Sequence, residues 1–189
     1  MVPCRPRGTL GEALSWFPCR HNRRVPDIRR LGPGDWPVLR AARLRALEDA
    51  PYAFASTAAE EAQNPDAWWQ AGVERLAWFV SEEGDVVVGL AAGLPPEEDG
   101  CPEVVSMWVD AGCRGTGVAE QLLSAVIDWA RGIGAQEVSL GVADGNRRAL
   151  RFYERAGFRL TGSSEPLRSR PTVCTYEMRL PLRDRSGRS

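Results

Sequence analysis

The sequence predicts one mixed α/β domain over residues 26–182. Three observations carry that expectation. Segments of helical and of extended apolar period alternate along the chain. Gly- and Pro-rich turns separate them. The 189 residues suffice for a single sizeable core. The element order is β-α-α-β-β-β-α-β-α-β-β. Residues 1–25 contain Pro3, Pro6, Gly8, Gly11 and Pro18 without sustained periodicity; they and the tail 183–189 are expected to be flexible.

A first strand is expected around Asp27–Leu31, followed by the turn Gly32-Pro33-Gly34-Asp35, where Asp35 can cap the next helix. Trp36, Leu39, Ala42, Ala46 and Leu47 give that helix an apolar face, and Arg40, Arg43 and Arg45 are expected to point elsewhere. Asp49-Ala50-Pro51-Tyr52 breaks it. Thr57-x-x-Glu60 has the form of a capping box, and Asn64-Pro65-Asp66 opens another helical start with Trp68 and Trp69 available for packing. Ala77–Ser81 and Asp85–Leu94 form a hairpin turned at Glu82-Glu83-Gly84. The acidic turn Pro95-Pro96-Glu97-Glu98-Asp99-Gly100 leads into a strand near Glu103–Val109. The helix after it runs to about Arg131, buries Val118, Leu122, Ala125, Val126 and Trp129, and stops at Gly132-Ile133-Gly134. Glu137–Val142 is the next strand, and Asn146 to about Ala156 the last helix. Phe158–Thr161 and Thr172–Leu180 close the chain as a hairpin across a polar loop.

The most informative segment joins the Glu103–Val109 strand to the long helix: Asp110-Ala111-Gly112-Cys113-Arg114-Gly115-Thr116-Gly117-Val118-Ala119. A strand, a Gly-rich turn and a helix start present unpaired N–H groups at the positive end of a helix dipole, a seat for phosphate or pyrophosphate. Gly115 and Gly117 keep side chains away from the anion, and Arg114 adds a cation at the mouth. A Walker A loop is excluded, because the chain contains no lysine. A dinucleotide fingerprint fits poorly, because Glu120 occupies the third glycine position and the segment lies far into the chain.

The spacing Arg114-x-x-Gly117-x-Ala119 resembles the acyl-CoA motif of the GNAT superfamily of N-acyltransferases. Asn146-Arg147-Arg148-Ala149-Leu150-Arg151-Phe152-Tyr153-Glu154-Arg155-Ala156-Gly157-Phe158 resembles a second motif of the same family, in the right order and after one more strand. The resemblance covers roughly 26–182 and implies a mostly antiparallel central sheet flanked by helices. It further implies that the motif strand and the next one splay apart around the pantetheine arm of acetyl-CoA. Backbone groups of Met107, Trp108 and Val109 would pair with that arm, and a nearby N–H would polarise the thioester carbonyl. Arg114, Gly115, Thr116, Gly117, Val118, Ala119 and Glu120 would hold the pyrophosphate. Asn146 would fix the donor, and Tyr153 would protonate the departing thiolate. Asn146 is also a good N-cap, and a tyrosine at position 153 can equally pack on the sheet.

The acceptor implied is a primary amine of a small molecule or protein, attacking the thioester directly. Glu103 and Asp110 flank the motif strand as candidate bases, with neither preferred. The loops 51–56 and 163–171 are expected to shape the acceptor pocket. Glu60, Glu61, Glu97, Glu98 and Asp99 are better explained as solvated charges than as an amine attractor. A non-catalytic acyl-CoA-binding module is the alternative function.

Composition narrows the rest. Net charge is -1, with 43% hydrophobic and 26% charged residues, as in ordinary globular proteins. His21 is the sole histidine, which disfavours a Ser-His-Asp triad or a histidine metal site. Five cysteines without C-x-x-C disfavour zinc and a disulfide framework; Cys113 is expected to be a small structural residue. No metal is expected. No apolar run is long enough for a membrane span, and Leu14-Ser15-Trp16-Phe17 is too short for a signal sequence, so a cytoplasmic protein is expected. Arginine-rich ends would suit nucleic acid, but no recognition motif accompanies them. The resemblance allows a homodimer.

Overall fold

The computed structural model describes residues 26–97 and 100–182. The expected ends, and with them His21, Cys4 and Cys19, lie outside the described residues, as do Glu98 and Asp99. Seven strands form one sheet: β1 (Ile28–Arg30), β2 (Ala77–Glu83), β3 (Val86–Leu94), β4 (Glu103–Val109), β5 (Glu137–Ala143), β6 (Arg159–Leu167) and β7 (Arg170–Pro181). Their order is β1-β2-β3-β4-β5-β7-β6, antiparallel throughout except for β4 and β5. This is the mixed, mostly antiparallel sheet expected.

Helices α1 (Trp36–Asp49), α2 (Ala58–Ala62) and α3 (Asp66–Arg75) precede β2; α4 (Val118–Gly132) follows β4 and α5 (Arg147–Arg155) follows β5. The sheet separates two cores. On one face Leu39, Leu47, Trp69 and Val73 of α1 and α3 pack on Trp78, Val80, Leu90 and Trp108. On the other, Val118, Leu122 and Val126 of α4 and Tyr153 of α5 pack on Phe79, Ala91, Val104, Val138 and Leu140. Strands β2 and β3 therefore bury both faces, which explains their nearly continuous apolar sequence. Gly93 permits the closest approach of α4: a Cβ there would lie 2.2 Å from Trp129 Cζ3.

Five details depart from expectation. The region between α1 and β2 holds a separate short helix, α2, as well as α3; its capping box is real, with Thr57 Oγ1 accepting from the Glu60 N–H. Asp35 does not cap α1 with its side chain; its carboxylate instead turns back to accept from the Gly32 N–H at 2.8 Å and to pair with Arg29. Arg43 and Glu61 are buried against each other rather than solvated. The closing hairpin is much longer than expected, because residues 163–167 and 170–171 belong to strands and only Arg168-Ser169 turns. Cys113 is disulfide-bonded, against the expectation of no disulfides; Cys101 and Cys174 are free.

Candidate active site

Strand β4 builds the site. It starts in register with β5, pairing Glu103 with Ser139 and Val104 with Leu140, and there the pairing stops. On its other side the register with β3 shifts between Leu90 and Ala92, leaving Ser106 and Met107 as an irregularity. Ser106 has φ 59°, the only non-glycine residue with positive φ among the described residues. A bulge of this kind bends a strand and takes backbone groups out of the ladder. The C-terminal half of β4 thus diverges from β5 with polar backbone unused by the sheet.

A cavity of about 350 Å³ occupies the divergence. Its lining includes Glu103, Ser106, Met107, Asn146 and Tyr153, with Arg43 on the α1 side. The two loop regions expected to shape an acceptor pocket both reach it, through Ala53–Ala55 and Glu165–Arg168. They are tied together across it: Ser169 Oγ donates to the Phe54 carbonyl at 2.6 Å.

The structure separates the two candidate bases. Asp110 caps the turn after β4, accepting from the Gly112 N–H at 3.0 Å, and pairs with Arg45 at 3.1 Å. Glu103 faces the cavity with no cationic partner among the described residues. Burial, and then repulsion from Glu165 and Glu177, push its carboxyl above the usual carboxylate range. Tyr153 is buried at the cavity wall in edge contact with Phe152 and Phe158, and desolvation raises its phenol pKa. The hydroxyl therefore keeps its proton at neutral pH.

The Gly turn has the predicted form. Gly115 and Gly117 take φ 84° and 97°, and Gly117 is the N-cap of α4. The first helical bond after it runs from the Gln121 N–H to the Gly117 carbonyl, so the amides of Val118, Ala119 and Glu120 precede the ladder. Val118 buries its side chain in the core, Thr116 Oγ1 donates to the Cys113 carbonyl at 2.7 Å, and Glu120 is exposed in the first turn. What this turn offers an anion is backbone.

Arg114 does not stand free at its mouth. Its Nε donates to the Val109 carbonyl at 2.9 Å and its guanidinium pairs with Asp49. Trp108 and Val109 are buried, and Trp108 Nε1 donates to Asp49 at 2.9 Å, so neither offers its side chain to the cavity. Asn146 is the N-cap of α5, its Oδ1 accepting from the Ala149 N–H at 3.1 Å, and it also lines the cavity.

Two residues of the site were missed by the sequence reading. Arg43 had a signal, since Leu39, Arg43 and Leu47 share one helical face at a spacing of four. The conformation of Ser106 had none.

A helix N-terminus beside a splayed strand pair offers backbone N–H groups to an anion and an open strand edge to an extended ligand. The chain belongs to the acetyltransferase (GNAT) family, whose model matches residues 41–158, more than half of it. It is 33% identical over 145 residues to mycothiol acetyltransferase of Propionibacterium freudenreichii, covering 73% of this chain but 45% of that protein. An N-acetyltransferase of Mycobacterium tuberculosis is 38% identical over 89 residues, which are 47% of this chain and 56% of that one. The chain thus spans about half the length of these relatives. Among solved structures, yncA of Salmonella typhimurium with its cofactor acetyl-CoA is similar in fold, with a TM-score of 0.63 and 23% identity over 87% of this chain and 98% of that chain. No helix among the described residues is long and apolar enough to cross a membrane.

Proposed function

We propose that the chain is an N-acetyltransferase that moves the acetyl group of acetyl-CoA to a primary amine by direct attack. The observation that carries this reading is the end of β4–β5 pairing after two positions, at a bulge whose cavity contains both Glu103 and Tyr153. The backbone around Met107, Trp108 and Val109 suits an extended pantetheine arm, and the amides of Gly115, Gly117, Val118, Ala119 and Glu120 suit its pyrophosphate. Asn146 and Tyr153 lie on one face of α5, about 10 Å apart along its axis at ~1.5 Å rise per residue.

In this reading Glu103 takes the proton of the attacking ammonium, directly or through water. An elevated carboxyl pKa makes it a better base than an ordinary surface glutamate. Attack places negative charge on the thioester oxygen, which a bulge N–H stabilises. The C–S bond breaks as the amide forms; the nitrogen's second proton passes to the departing sulfur by way of the Tyr153 hydroxyl, so coenzyme A leaves as the thiol. Because a thiol has an ordinary pKa near ~8.5 and a phenol near ~10, the raised tyrosine acts first as a donor that lowers the charge on sulfur. Asp110 has no part in this chemistry.

The acceptor is an amine of a small molecule or protein, and a cytoplasmic setting is part of the reading. The test is acetyl-CoA titration by calorimetry for wild type and Gly117→Trp, then thiol release over an amine panel. Saturable binding lost in the variant, with amine-dependent thiol release, supports the enzyme. Binding without release from any amine supports the non-catalytic acyl-CoA module instead. No binding by folded wild type rejects both.

A further inference from the structure

Arg43 is 8 % exposed and most of its five N–H groups are used. Nε and Nη2 donate to the two oxygens of Glu61 at 3.1 and 2.8 Å, Nη2 also donates to Ser56 Oγ at 3.0 Å, and Nη1 donates to Ser106 Oγ at 3.3 Å. Its Cζ lies 4.8 Å from the centre of the Phe54 ring. Glu61 is 7 % exposed and accepts a further bond from Ser56 Oγ. One guanidinium thus joins three walls of the cavity: α1, the 54–61 segment and the bulge of β4.

A buried ion pair is a weak source of stability, since apolar side chains of the same volume often serve as well. Its directionality is what an apolar replacement lacks. The residue at its far end is the one that needs direction, because serine in the left-handed region is disfavoured and persists only where its surroundings hold it. We propose that Arg43, locked by Glu61, is a positioning residue for the reacting backbone: its bond to Ser106 Oγ holds the bulge open at the point where β4 leaves β5. This rests on the reading of the cavity as an acyl-transfer site. The same pair links the acceptor-side segment to the bulge, so the amine side and the thioester side share one support.

Glycine adopts the conformation of Ser106 without a tether, and alanine does not. The test therefore compares Ser106→Ala with Ser106→Gly, both of which lose the hydroxyl and leave the Arg43–Glu61 pair intact. Ser106→Ala is expected to lower kcat about tenfold or more, with the acetyl-CoA dissociation constant from calorimetry changed less than about threefold. Ser106→Gly is expected to lose at least about threefold less kcat than Ser106→Ala. Arg43→Lys keeps a charge for Glu61 but not the fork; it should lose about as much as Ser106→Ala and recover in Arg43→Lys/Ser106→Gly.

Equal losses in the alanine and glycine variants, or no loss in either, overturn the proposal. A wild type that binds acetyl-CoA yet acetylates no amine defeats the transferase reading instead. The tether is then still tested by melting, where Ser106→Gly must melt above Ser106→Ala and the reverse order overturns it.

Discussion

The two ends of the sheet are covered differently. Strands β2 and β3 lie between helical layers, with Trp78 and Val80 facing α1 and α3 and Phe79 and Ala91 facing α4. Strand β6 has eight of its nine residues exposed, and Leu160 and Tyr176 of the β6–β7 hairpin show large apolar side chains to solvent. The site falls between these regimes, on β4 and β5. There the sheet is buried enough to desolvate Glu103 and Tyr153, and the cavity opens beside them. A carboxylate deeper in the doubly covered half would be unpaired in apolar surroundings at a prohibitive cost; one on β6 would be an ordinary surface acid. The comparison teaches that partial cover can perturb an acid while leaving it on a cavity.

The sharpest way to break that comparison is Glu103→Gln at its seam. Loss of a general base is expected to lower kcat by about 10²–10⁴ at neutral pH. The wild-type rate should fall as pH drops through the raised Glu103 pKa, and pH–rate profiles should show that limb missing in the variant. Stability should move the other way. A carboxyl whose folded pKa is raised contributes stability below its unfolded pKa, near ~4.3, and loses it as pH rises through the folded value. Glu103→Gln should therefore be more stable than wild type at pH 7. Denaturant melts that place the variant below wild type there would mean that Glu103 is a structural anchor.

Leu122 of α4 is fully buried against the doubly covered half. Leu122→Ala should cost about 2–5 kcal/mol in urea unfolding, and a much smaller loss would show that this half is loosely packed. Gly93→Ala presses a methyl group against Trp129 and should cost about 1–3 kcal/mol by the same measurement. At the open end, Leu160→Thr should change stability by no more than about 0.5 kcal/mol. A larger loss would reveal that β6 is covered in solution.

Much of the fold was legible because its causes are local. The β4 strand bounds, the α4 start after Gly117, the Thr57 capping box and the Asn146 cap all depend on residues within one turn of each other. The hairpin from β6 to β7 was underestimated because its exposed strands carry no apolar alternation to mark them. Local pattern leaves the buried Arg43–Glu61 pair as two solvated charges, because pairing across 18 residues is invisible to it.

The sequence alone therefore determined the order of the strands and longer helices, the glycine turn before α4 and the residue types gathered around it, since helix caps, glycine conformations and apolar period act over a few residues. Only the tertiary structure left Glu103 on the cavity while pairing Asp110 with Arg45, turned Arg114 toward Asp49, and placed Ser106 in the left-handed region under Arg43. Those outcomes depend on desolvation and on partners distant in sequence, which exist only after the sheet has assembled.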